Sequence, residues 1–436
     1  MSYKIFIHVF GCRTSLCEGE YIAGALKSLG CEITEDINSE YNAAVIVTCS
    51  VTQEADRKCR SAVRRTRRIM GDNGILAVCG CWGQSLDAGE AQNLSINILA
   101  GSKGKNLIPD AVIKMLGEKN KNFQDLRLLN KNIFETQEWE ELEINSPVLH
   151  SRAFMKIQDG CNHFCTYCVI PFLRGRPVSR PVKNILDEIK RLIDSGIKEI
   201  IFTGIHLGLY GRDFDFNLAK LIREVSKIKE LKRLRLGSLE PFCLDDDLLN
   251  SLNECEAFCH HLHLPLQSGS NEILSSMRRG YSAEDFIKIC DKAREKISSE
   301  IHISSDILVG FPNENDKNFE DTLDVMKKSG LGRVHVFPYS ERPGTIAANL
   351  QKKISHEIKI SRTSQAIALG RELYDNYAKN FLGREVEILL ENNNRQSGSY
   401  RGHTRHFIEA VTSGENNKNQ ILKARALRYV DGKLEC

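Results

Sequence analysis

Three cysteines within one short run constrain the fold most, because their thiols must reach one point from a single loop. The run CNHFCTYC places Cys161, Cys165 and Cys168 at spacings of four and three residues. Three thiolates can hold three corners of a [4Fe–4S] cube, whereas four-cysteine ferredoxin runs supply a ligand for every iron. The fourth iron is then open to a small molecule, by the logic that separates catalytic from structural zinc sites. The spacing predicts a cluster with one open iron and gives these cysteines a catalytic role.

Two alternatives remain for this run, a structural zinc knot and three unrelated cysteines. Zinc requires a fourth nearby Cys or His ligand. The candidate is His163, which points away if Cys161 and Cys165 face one site. The residues therefore favour the iron–sulfur cluster.

Length, composition and cysteine count limit the class of protein. A chain of 436 residues predicts two or three domains. No uncharged apolar run approaches the roughly 18 residues that span a membrane. The N-terminal run MSYKIFIHVFGC lacks the apolar core and cleavage site of a signal peptide. We therefore expect a cytoplasmic protein without a membrane partner, in which the 15 cysteines serve metals or catalysis.

The first domain, residues 1–117, alternates apolar strand-like runs with helical patterns, which predicts a small parallel α/β sheet. The predicted strands are residues 4–10, 43–48, 75–79 and 96–100, and two predicted helices are residues 18–29 and 54–70. Residues 118–147 are polar and weakly periodic, which indicates a linker to the next domain.

Three cysteines follow the predicted strands of this domain where each strand ends. They are Cys12, Cys49 and Cys81. Ligands collect beyond the carboxyl ends of parallel strands, so the three thiols should meet at one edge. This favours a second metal cluster over the alternative of three buried core cysteines, although buried cysteines are common. Cys79 lies inside a strand and is expected to face the core.

A basic stripe on the second predicted helix is a candidate RNA-binding surface. The spacing places Arg57, Arg60, Arg64 and Arg68 on one helical face. Such a stripe suits a phosphate backbone. A solvated helix face explains these residues equally well when they are taken alone. The net charge of +3 does not distinguish between the two interpretations.

The central domain, residues 148–380, repeats strand and helix six times. The predicted strands are residues 153–158, 199–203, 233–237, 261–266, 302–309 and 333–338. About 200 residues are available against ~250 for eight units, so an incomplete (β/α)6 barrel is expected. Its last part, residues 354–380, reads as an amphipathic helical connector.

Chemistry in such barrels lies at the carboxyl ends of the strands. Polar residues, glycine and proline at these ends indicate a polar, nucleoside-like ligand beside the cluster. The candidate cofactor-binding residues are Thr203, Gly204, Ser238, Glu240, Gln267, Ser268, Asp306 and Pro338.

The last domain, residues 381–436, has short β-like runs and predicts a small antiparallel barrel. The runs are residues 386–390, 406–411 and 421–429. Residues 400–407 interleave aromatic side chains with cations, including Arg401 and Arg405. This mixture suits single-stranded or looped RNA. A charged hairpin edge that prevents aggregation is the alternative.

Taken together, these features resemble the radical S-adenosylmethionine (SAM) methylthiotransferase family. The resemblance covers nearly the whole chain: an N-terminal three-cysteine domain, a CxxxCxxC barrel and a C-terminal TRAM domain. The segments TGIHLGLYGRD (203–213), HLPLQSGSNEILSSMRR (263–279) and VHVFPYSERPGTIA (334–347) are similar to the MtaB subfamily. That subfamily methylthiolates N6-threonylcarbamoyladenosine (t6A) at position 37 of tRNA.

Two other subfamilies provide alternatives for the substrate. The MiaB subfamily acts on isopentenyladenosine and has LGQNVN where this chain has TGIHLG, and NTCSxR where it has VTCSVT. The RimO subfamily modifies an aspartate of a ribosomal protein. One departure concerns the family pattern GCxxN, since Ser15 stands here in the Asn position. Cys12 is kept, so cluster binding is expected, whereas the role of the Asn is in doubt.

The resemblance implies a reaction and a set of cofactors. The cluster on Cys161, Cys165 and Cys168 would bind SAM and cleave it to a 5′-deoxyadenosyl radical. A second [4Fe–4S] cluster on Cys12, Cys49 and Cys81 would deliver the sulfur atom. A second SAM molecule would supply the methyl group. The product is 2-methylthio-t6A, and the partners are a tRNA anticodon stem-loop, a sulfur donor and a reductant such as flavodoxin or ferredoxin. A rival of another class is a non-catalytic RNA-binding metalloprotein.

Overall fold

The first apolar runs of the chain form a parallel sheet that is buried on both faces. The computed structural model describes residues 2–71, 73–118, 126–130, 132–135, 138–144, 147–394, 399–413 and 418–436. The strands of this sheet are β1 (Lys4–Val9), β2 (Glu32–Thr34), β3 (Ala43–Thr48), β4 (Ile75–Gly80), β5 (Ile98–Leu99) and β6 (Arg127–Leu128). They pair in the order β2-β1-β3-β4-β5-β6, and every pairing is parallel.

Alternation along β1 explains why both faces are covered. Ile5 and Ile7 enter one apolar core, whereas Phe6 enters the core on the other face. Side chains of a strand alternate between faces, and parallel sheets are buried on both. The helices that cover the sheet are α1 (Arg13–Ser28), α2 (Gln53–Met70), α3 (Cys81–Ser85), α4 (Ala88–Asn93) and α5 (Ile108–Gly117). The four predicted strands are therefore present, and β2 and β6 extend the sheet at its two edges.

The contacts divide the chain into two units. Unit 1 comprises Met1–His150, Phe154–Phe164 and Cys168–Leu192, and unit 2 comprises Ser151–Ala153, Cys165–Tyr167 and Ile193–Cys436. The segment after the first sheet contains β7 (Ala153–Lys156), β8 (Gln158–Asp159), α6 (Ile170–Arg174), β9 (Val178–Ser179) and α7 (Val182–Asp194). Strands β8 and β9 pair antiparallel and flank the loop that carries the three-cysteine run. The predicted linker, residues 118–147, lies partly outside the described residues, and β6 lies within it.

Unit 2 contains a row of parallel strands with helices between them. The strands are β10 (Glu199–Thr203), β11 (Arg233–Leu236), β12 (His261–His263), β13 (His302–Val309) and β14 (Arg333–Pro338). The helices are α8 (Leu218–Ser226), α9 (Asp246–Glu254), α10 (Asn271–Met277), α11 (Ala283–Lys296) and α12 (Asp316–Lys328). Single bridges such as Ser238 to His263 join β11 to β12, so the row is continuous. Each predicted run from 199 to 338 contains one of these strands.

The C-terminal part is a long helix followed by a mixed sheet. These elements are α13 (His356–Lys379), β15 (Glu385–Asn394), β16 (Ser399–Thr404), β17 (Glu409–Ser413), β18 (Ile421–Arg425), β19 (Arg428–Val430) and β20 (Lys433–Glu435). The strand order is β18-β15-β16-β17-β20-β19. The expectation of an antiparallel arrangement needs one correction, since β17 and β20 pair in parallel. The run 421–429, predicted as one strand, is divided into β18 and β19.

None of the helices in the described part of the chain combines the length and apolar character that crossing a membrane requires.

Candidate active site

The three strand-end cysteines of unit 1 lie at a topological switch point of the sheet. Strand β1 has β2 on one side and β3 on the other, so the connections leave it in opposite directions. Ligands bind in the crevice that such a reversal creates at the carboxyl edge. Cys12 follows β1, Cys49 follows β3, and Cys81 follows the adjacent strand β4.

The loops that carry the three cysteines come together in the structure. A Cβ atom added to Gly11 would lie 3.0 Å from the Cβ of Cys49. Burial raises the pKa of Cys49 to about 12, and the neighbouring Cys81 and Cys12 thiols add to this rise. Cys12 is exposed, Cys49 is half-buried and Cys81 is buried. The set is therefore open to solvent on the Cys12 side.

Backbone geometry at Gly80 fixes the direction of Cys81. Gly80 has φ of 99°, and a Cβ there would lie 2.4 Å from the Thr48 carbonyl oxygen. The Thr48 hydroxyl donates to the Cys79 carbonyl oxygen and accepts from the Gly83 N–H at 3.1 Å. Only glycine fits this approach of β4 to β3. Cys81 consequently begins α3 at the carboxyl edge, whereas Cys79 lies in the core as predicted.

Ser15, at the position of the family Asn, lies beside the first cysteine. Its hydroxyl is buried, and its Oγ lies 3.9 Å from Cys12 Sγ. The Cys59 thiol donates to the Cys49 carbonyl oxygen at 3.5 Å. Both side chains support the loops that carry the predicted cluster ligands.

A buried arginine contacts the third thiol of this set. Arg174 ends α6, its side chain is fully buried, and its Nε donates to Cys81 Sγ at 3.2 Å. Its Nη1 donates to Glu18 Oε1 at 2.9 Å and to Asp159 Oδ1 at 3.1 Å. One guanidinium therefore joins a predicted cluster ligand to two buried carboxylates.

The two carboxylates belong to a larger buried ion network. Lys105 Nζ lies 3.1 Å from Glu18 Oε1, and Lys156 Nζ lies 2.9 Å from Asp159 Oδ2. Burial opposes the charge of Glu18, but Arg174 and the two lysines outweigh it and lower the pKa of Glu18 to about 2. Burial also opposes the charge of Asp159, but Lys156 and Arg174 hold the pKa of Asp159 well below its usual range. Both carboxylates are therefore ionised.

The loop with the CxxxCxxC run is fixed at its start within unit 1. Gly160 has φ of 75°, and a Cβ there would lie 2.1 Å from the Arg176 carbonyl oxygen. The Cys161 N–H donates to the Gly175 carbonyl oxygen at 3.1 Å, and the His163 N–H donates to Cys161 Sγ at 3.4 Å. Cys161 and Cys168 are half-buried.

The middle cysteine of the run is fixed within unit 2 by a second buried arginine. Arg279 Nη1 donates to Cys165 Sγ at 3.2 Å and to the Tyr167 hydroxyl at 3.5 Å. Its Nε donates to the Tyr281 hydroxyl at 3.1 Å, and its Nη2 pairs with the Glu240 carboxylate. Burial raises the pKa of Cys165, and the positive charge of Arg279 opposes this rise.

Most of the predicted cofactor-binding residues lie at the carboxyl edge of the parallel row in unit 2. Thr203 ends β10, Ser238 follows β11, and Pro338 ends β14. Asp306 lies on β13 and accepts from His263 Nε2 at 3.1 Å. Gly204 follows Thr203 directly, and Glu240 pairs with Arg279 as described.

Two of the predicted residues, Gln267 and Ser268, have other contacts. Gln267 has φ of 68° and exchanges backbone hydrogen bonds with β13. The Ser268 Oγ lies 3.3 Å from Thr322 Oγ1 on α12 and accepts from the Ser270 N–H. Ser268 is buried in these contacts.

The predicted RNA-binding arginines differ in their exposure and in the contacts of their side chains. Arg64 and Arg68 on α2 and Arg401 on β16 are exposed. Arg57 is exposed but binds both carboxylate oxygens of Glu54. The two remaining residues have structural contacts, since Arg60 lies 5.5 Å from the Trp82 ring and Arg405 donates to the carbonyl oxygens of Glu256 and Phe258.

The donor sets fit the cofactors that the cysteine spacing suggests. Each set offers three cysteines, and in each set at least one of these residues is half-buried or exposed. Within the described ranges, no group of three or more His, Cys, Asp or Glu side chains has the arrangement that one metal ion requires. The fit therefore rests on donor chemistry, since cysteine thiolates are the protein ligands of iron–sulfur clusters.

Sequence reasoning missed the two buried arginines. Arginine is rarely buried, so neither residue resembles a core or site residue in the sequence. A shared local signal exists, because Arg174 precedes Gly175 and Arg279 precedes Gly280, and both glycines have positive φ. In each case the chain turns sharply directly after an inward-facing arginine.

Comparisons with known proteins define the class. A model of the Radical SAM superfamily matches residues 155–326, and a model described as Uncharacterized protein family UPF0004 matches residues 4–101. The solved structure of the radical S-adenosylmethionine methyltransferase TsrM from Kitasatospora setae has a TM-score of 0.56 at 15% identity. The match covers 80% of this chain and 77% of that one, and at this identity it shows the fold alone.

Two curated relatives match over nearly their whole length. Threonylcarbamoyladenosine tRNA methylthiotransferase MtaB of Bacillus subtilis (strain 168) is 33% identical, over 97% of this chain and 94% of that protein. The tRNA-2-methylthio-N(6)-dimethylallyladenosine synthase of Aquifex aeolicus (strain VF5) is also 33% identical, over 100% of this chain and 98% of that protein. The chain belongs to the radical SAM methylthiotransferase family of enzymes. Membership implies a [4Fe–4S] cluster and SAM as cofactors.

Proposed function

We propose that this enzyme methylthiolates C2 of t6A at position 37 of tRNA and forms 2-methylthio-t6A. The observation that carries the proposal is the presence of two separate three-cysteine sets, each with one thiol hydrogen-bonded to a buried arginine. The resemblance of residues 203–213, 263–279 and 334–347 to the MtaB subfamily supports t6A as the substrate. The full-length match to the Bacillus subtilis protein agrees with it.

The proposed assignment gives each set of residues its own task. Cys161, Cys165 and Cys168 hold the [4Fe–4S] cluster, and Cys12, Cys49 and Cys81 hold a second one. When bound, the clusters and SAM supply the one-electron chemistry that side chains lack. Arg279 orients Cys165 and Glu240, while Thr203, Ser238 and Asp306 offer hydrogen bonds to SAM at the carboxyl edge.

The proposed domain arrangement follows from the sequence. Residues 1–117 form the methylthiotransferase domain, 118–147 a linker, 148–380 the radical SAM domain as a partial barrel with its connector, and 381–436 a TRAM barrel. A sulfur donor and a reductant such as flavodoxin or ferredoxin complete the reaction. A tRNA substrate places it in the cytoplasm.

Two surfaces are proposed to contact the tRNA anticodon stem-loop. On unit 1, a groove of about 400 Å³ lies between β1 and α2 and is lined by His8, Phe10, Arg57 and Arg65. Aromatic rings beside cations can stack bases and bind phosphates. Arg64 and Arg68 continue the basic face of α2, and Arg401 supplies a cation on β16 of unit 2.

A second candidate substrate is dimethylallyladenosine at the same tRNA position. It is favoured by the Aquifex aeolicus relative, which is as similar to this chain as the Bacillus subtilis protein. The test is expression in a bacterial strain that makes both precursor nucleosides but methylthiolates neither. Mass spectrometry of tRNA nucleosides should show 2-methylthio-t6A with this chain and none with Cys165→Ala. Formation of the dimethylallyl product alone would establish the second candidate, and neither product from a protein with both clusters would contradict both.

A further inference from the structure

The buried ion network beside Cys81 has more positive than negative charge. Two carboxylates, Glu18 and Asp159, pair with three cations, Arg174, Lys105 and Lys156, all within 4.0 Å. All five side chains are at most 3% exposed. Lys103 and Glu140 at the edge of this network add one charge of each sign. An unpaired buried charge is costly, so a further anion is expected here.

The geometry identifies that anion. The two Nη atoms of Arg174 are directed at the carboxylates, and the Nε–H is directed at Cys81 Sγ. A cysteine binds iron as a thiolate. A ligating Cys81 therefore supplies the missing negative charge and receives a charge-assisted hydrogen bond.

We infer that Arg174 is a positioning residue for the second cluster, which fixes the Cys81 thiolate and raises the reduction potential of that cluster. This rests on the proposed function, because the second cluster belongs to it. Hydrogen bonds to the sulfur atoms and nearby positive charge both stabilise the reduced, more negative state of a cluster. The reduction potential therefore distinguishes a cluster tuned for sulfur delivery from one that only stabilises the fold.

The test uses the full chain with Cys161, Cys165 and Cys168 replaced by Ala, so that one cluster remains. In this background Arg174→Lys keeps the charge but loses the directed N–H bond to sulfur. Arg180→Lys is the matched control, since Arg180 is equally buried and pairs with Glu188 at 2.6 Å and with Glu141. The measurements are iron content and a redox titration followed by electron paramagnetic resonance.

We expect Arg174→Lys to keep its iron and to shift the reduction equilibrium about tenfold toward the oxidised cluster, about 59 mV for one electron. Arg180→Lys should leave the midpoint unchanged. Equal midpoints in Arg174→Lys and Arg180→Lys would overturn the inference. Absence of iron in the parent would instead contradict the proposed second cluster.

A second variant decides the case in which Arg174→Lys fails to take up iron. Glu18→Gln keeps Arg174 and Cys81 but removes one negative charge from the network. The midpoint should then rise, because the positive excess beside the sulfur grows. A midpoint that is unchanged or lower in Glu18→Gln would overturn the inference independently of the lysine variant.

Discussion

The Nη1 atom of Arg279 donates a hydrogen bond to Cys165 Sγ across 3.2 Å, and both residues belong to unit 2. The cysteine is held from its backbone as well. The Thr166 N–H donates to the Met277 carbonyl oxygen at 3.1 Å, and the Ala347 N–H donates to the Thr166 carbonyl oxygen at 2.8 Å. The middle of the cysteine run is therefore fixed by Met277, the last residue of α10, by Ala347, and by Arg279, which lies two residues beyond α10.

Replacement of Arg279 by Lys should impair SAM cleavage strongly. A lysine has one nitrogen and cannot serve Cys165, Tyr281 and Glu240 together, as the planar guanidinium does. We expect formation of 5′-deoxyadenosine to fall about 10²-fold, the effect of a misplaced reacting group. The measurement is chromatographic quantification of 5′-deoxyadenosine after reduction with dithionite. Arg278→Lys, an exposed neighbour, is the control and should keep full cleavage.

Replacement of Gly80 by Ala should remove the second cluster selectively. The new Cβ would lie 2.4 Å from the Thr48 carbonyl oxygen, so β4 must move where Cys81 begins α3. Iron content should fall by about half, because one of the two proposed four-iron clusters would be lost. SAM cleavage should persist.

Gly71 provides the control for this prediction. It also has positive φ, at 64°, but a Cβ there would meet no atom within 4 Å. Its ψ of −163° places it in a region that is essentially confined to glycine, so Gly71→Ala should cost on the order of 1–3 kcal/mol of stability from backbone strain alone. Its iron content should match the unmodified protein, and equal iron loss in both variants would contradict the steric explanation.

The comparison of sequence and structure shows which patterns carry information. Continuous apolar runs predicted β3 and β4, which are buried throughout, because a strand buried on both faces contains little else, and Ile5, Phe6 and Ile7 gave the same signal in β1. Strands β2 and β6 have three and two residues and no such run, so they appeared as connections. The run 421–429 is uniformly β-like, yet the chain changes its partner strand within it. The Ala426 N–H donates to the Arg384 carbonyl oxygen, whereas the Leu427 N–H donates to the Glu435 carbonyl oxygen.

Side-chain partners from distant parts of the chain were beyond the reach of the sequence. Arg405 lies among aromatic residues and cations, which is typical of RNA-binding loops. In the structure its guanidinium binds the carbonyl oxygens of Glu256 and Phe258. Local spacing predicted the cysteine sets, whereas the arginines that contact them depend on tertiary packing.

His302 should make unit 2 less stable in acid. Burial lowers the pKa of His302 to about 3, while its hydrogen bond to the His406 carbonyl oxygen at 2.6 Å opposes this. The folded protein keeps the ring neutral, whereas the unfolded chain takes up a proton below its ordinary pKa of 6.5. The free energy of unfolding that comes from keeping His302 neutral is therefore fully present above pH 6.5. As the pH falls, it decreases by about 1.4 kcal/mol per pH unit until about pH 3.

The measurement is the midpoint of thermal unfolding by circular dichroism between pH 7.5 and 5.5. His302→Asn can keep a donor toward the His406 carbonyl oxygen but cannot titrate, so its midpoint should depend less on pH. His356→Asn replaces an exposed histidine on α13 and should keep the original dependence. The same pH dependence in all three proteins would contradict the assignment to His302.

Charge reversal on α2 should weaken binding of tRNA without affecting the cofactors. Arg64 and Arg68 are exposed on α2, the helix that also lines the groove containing His8 and Phe10. Each phosphate contact releases counterions, so the double variant Arg64→Glu, Arg68→Glu should bind an anticodon stem-loop at least 10-fold more weakly. The slope of log affinity against log salt should become shallower by about two.

The control is Lys317→Glu, Lys328→Glu on α12, which changes the net charge equally and should keep the original affinity. Equal losses in both double variants would show that total charge, and not the face of α2, governs binding.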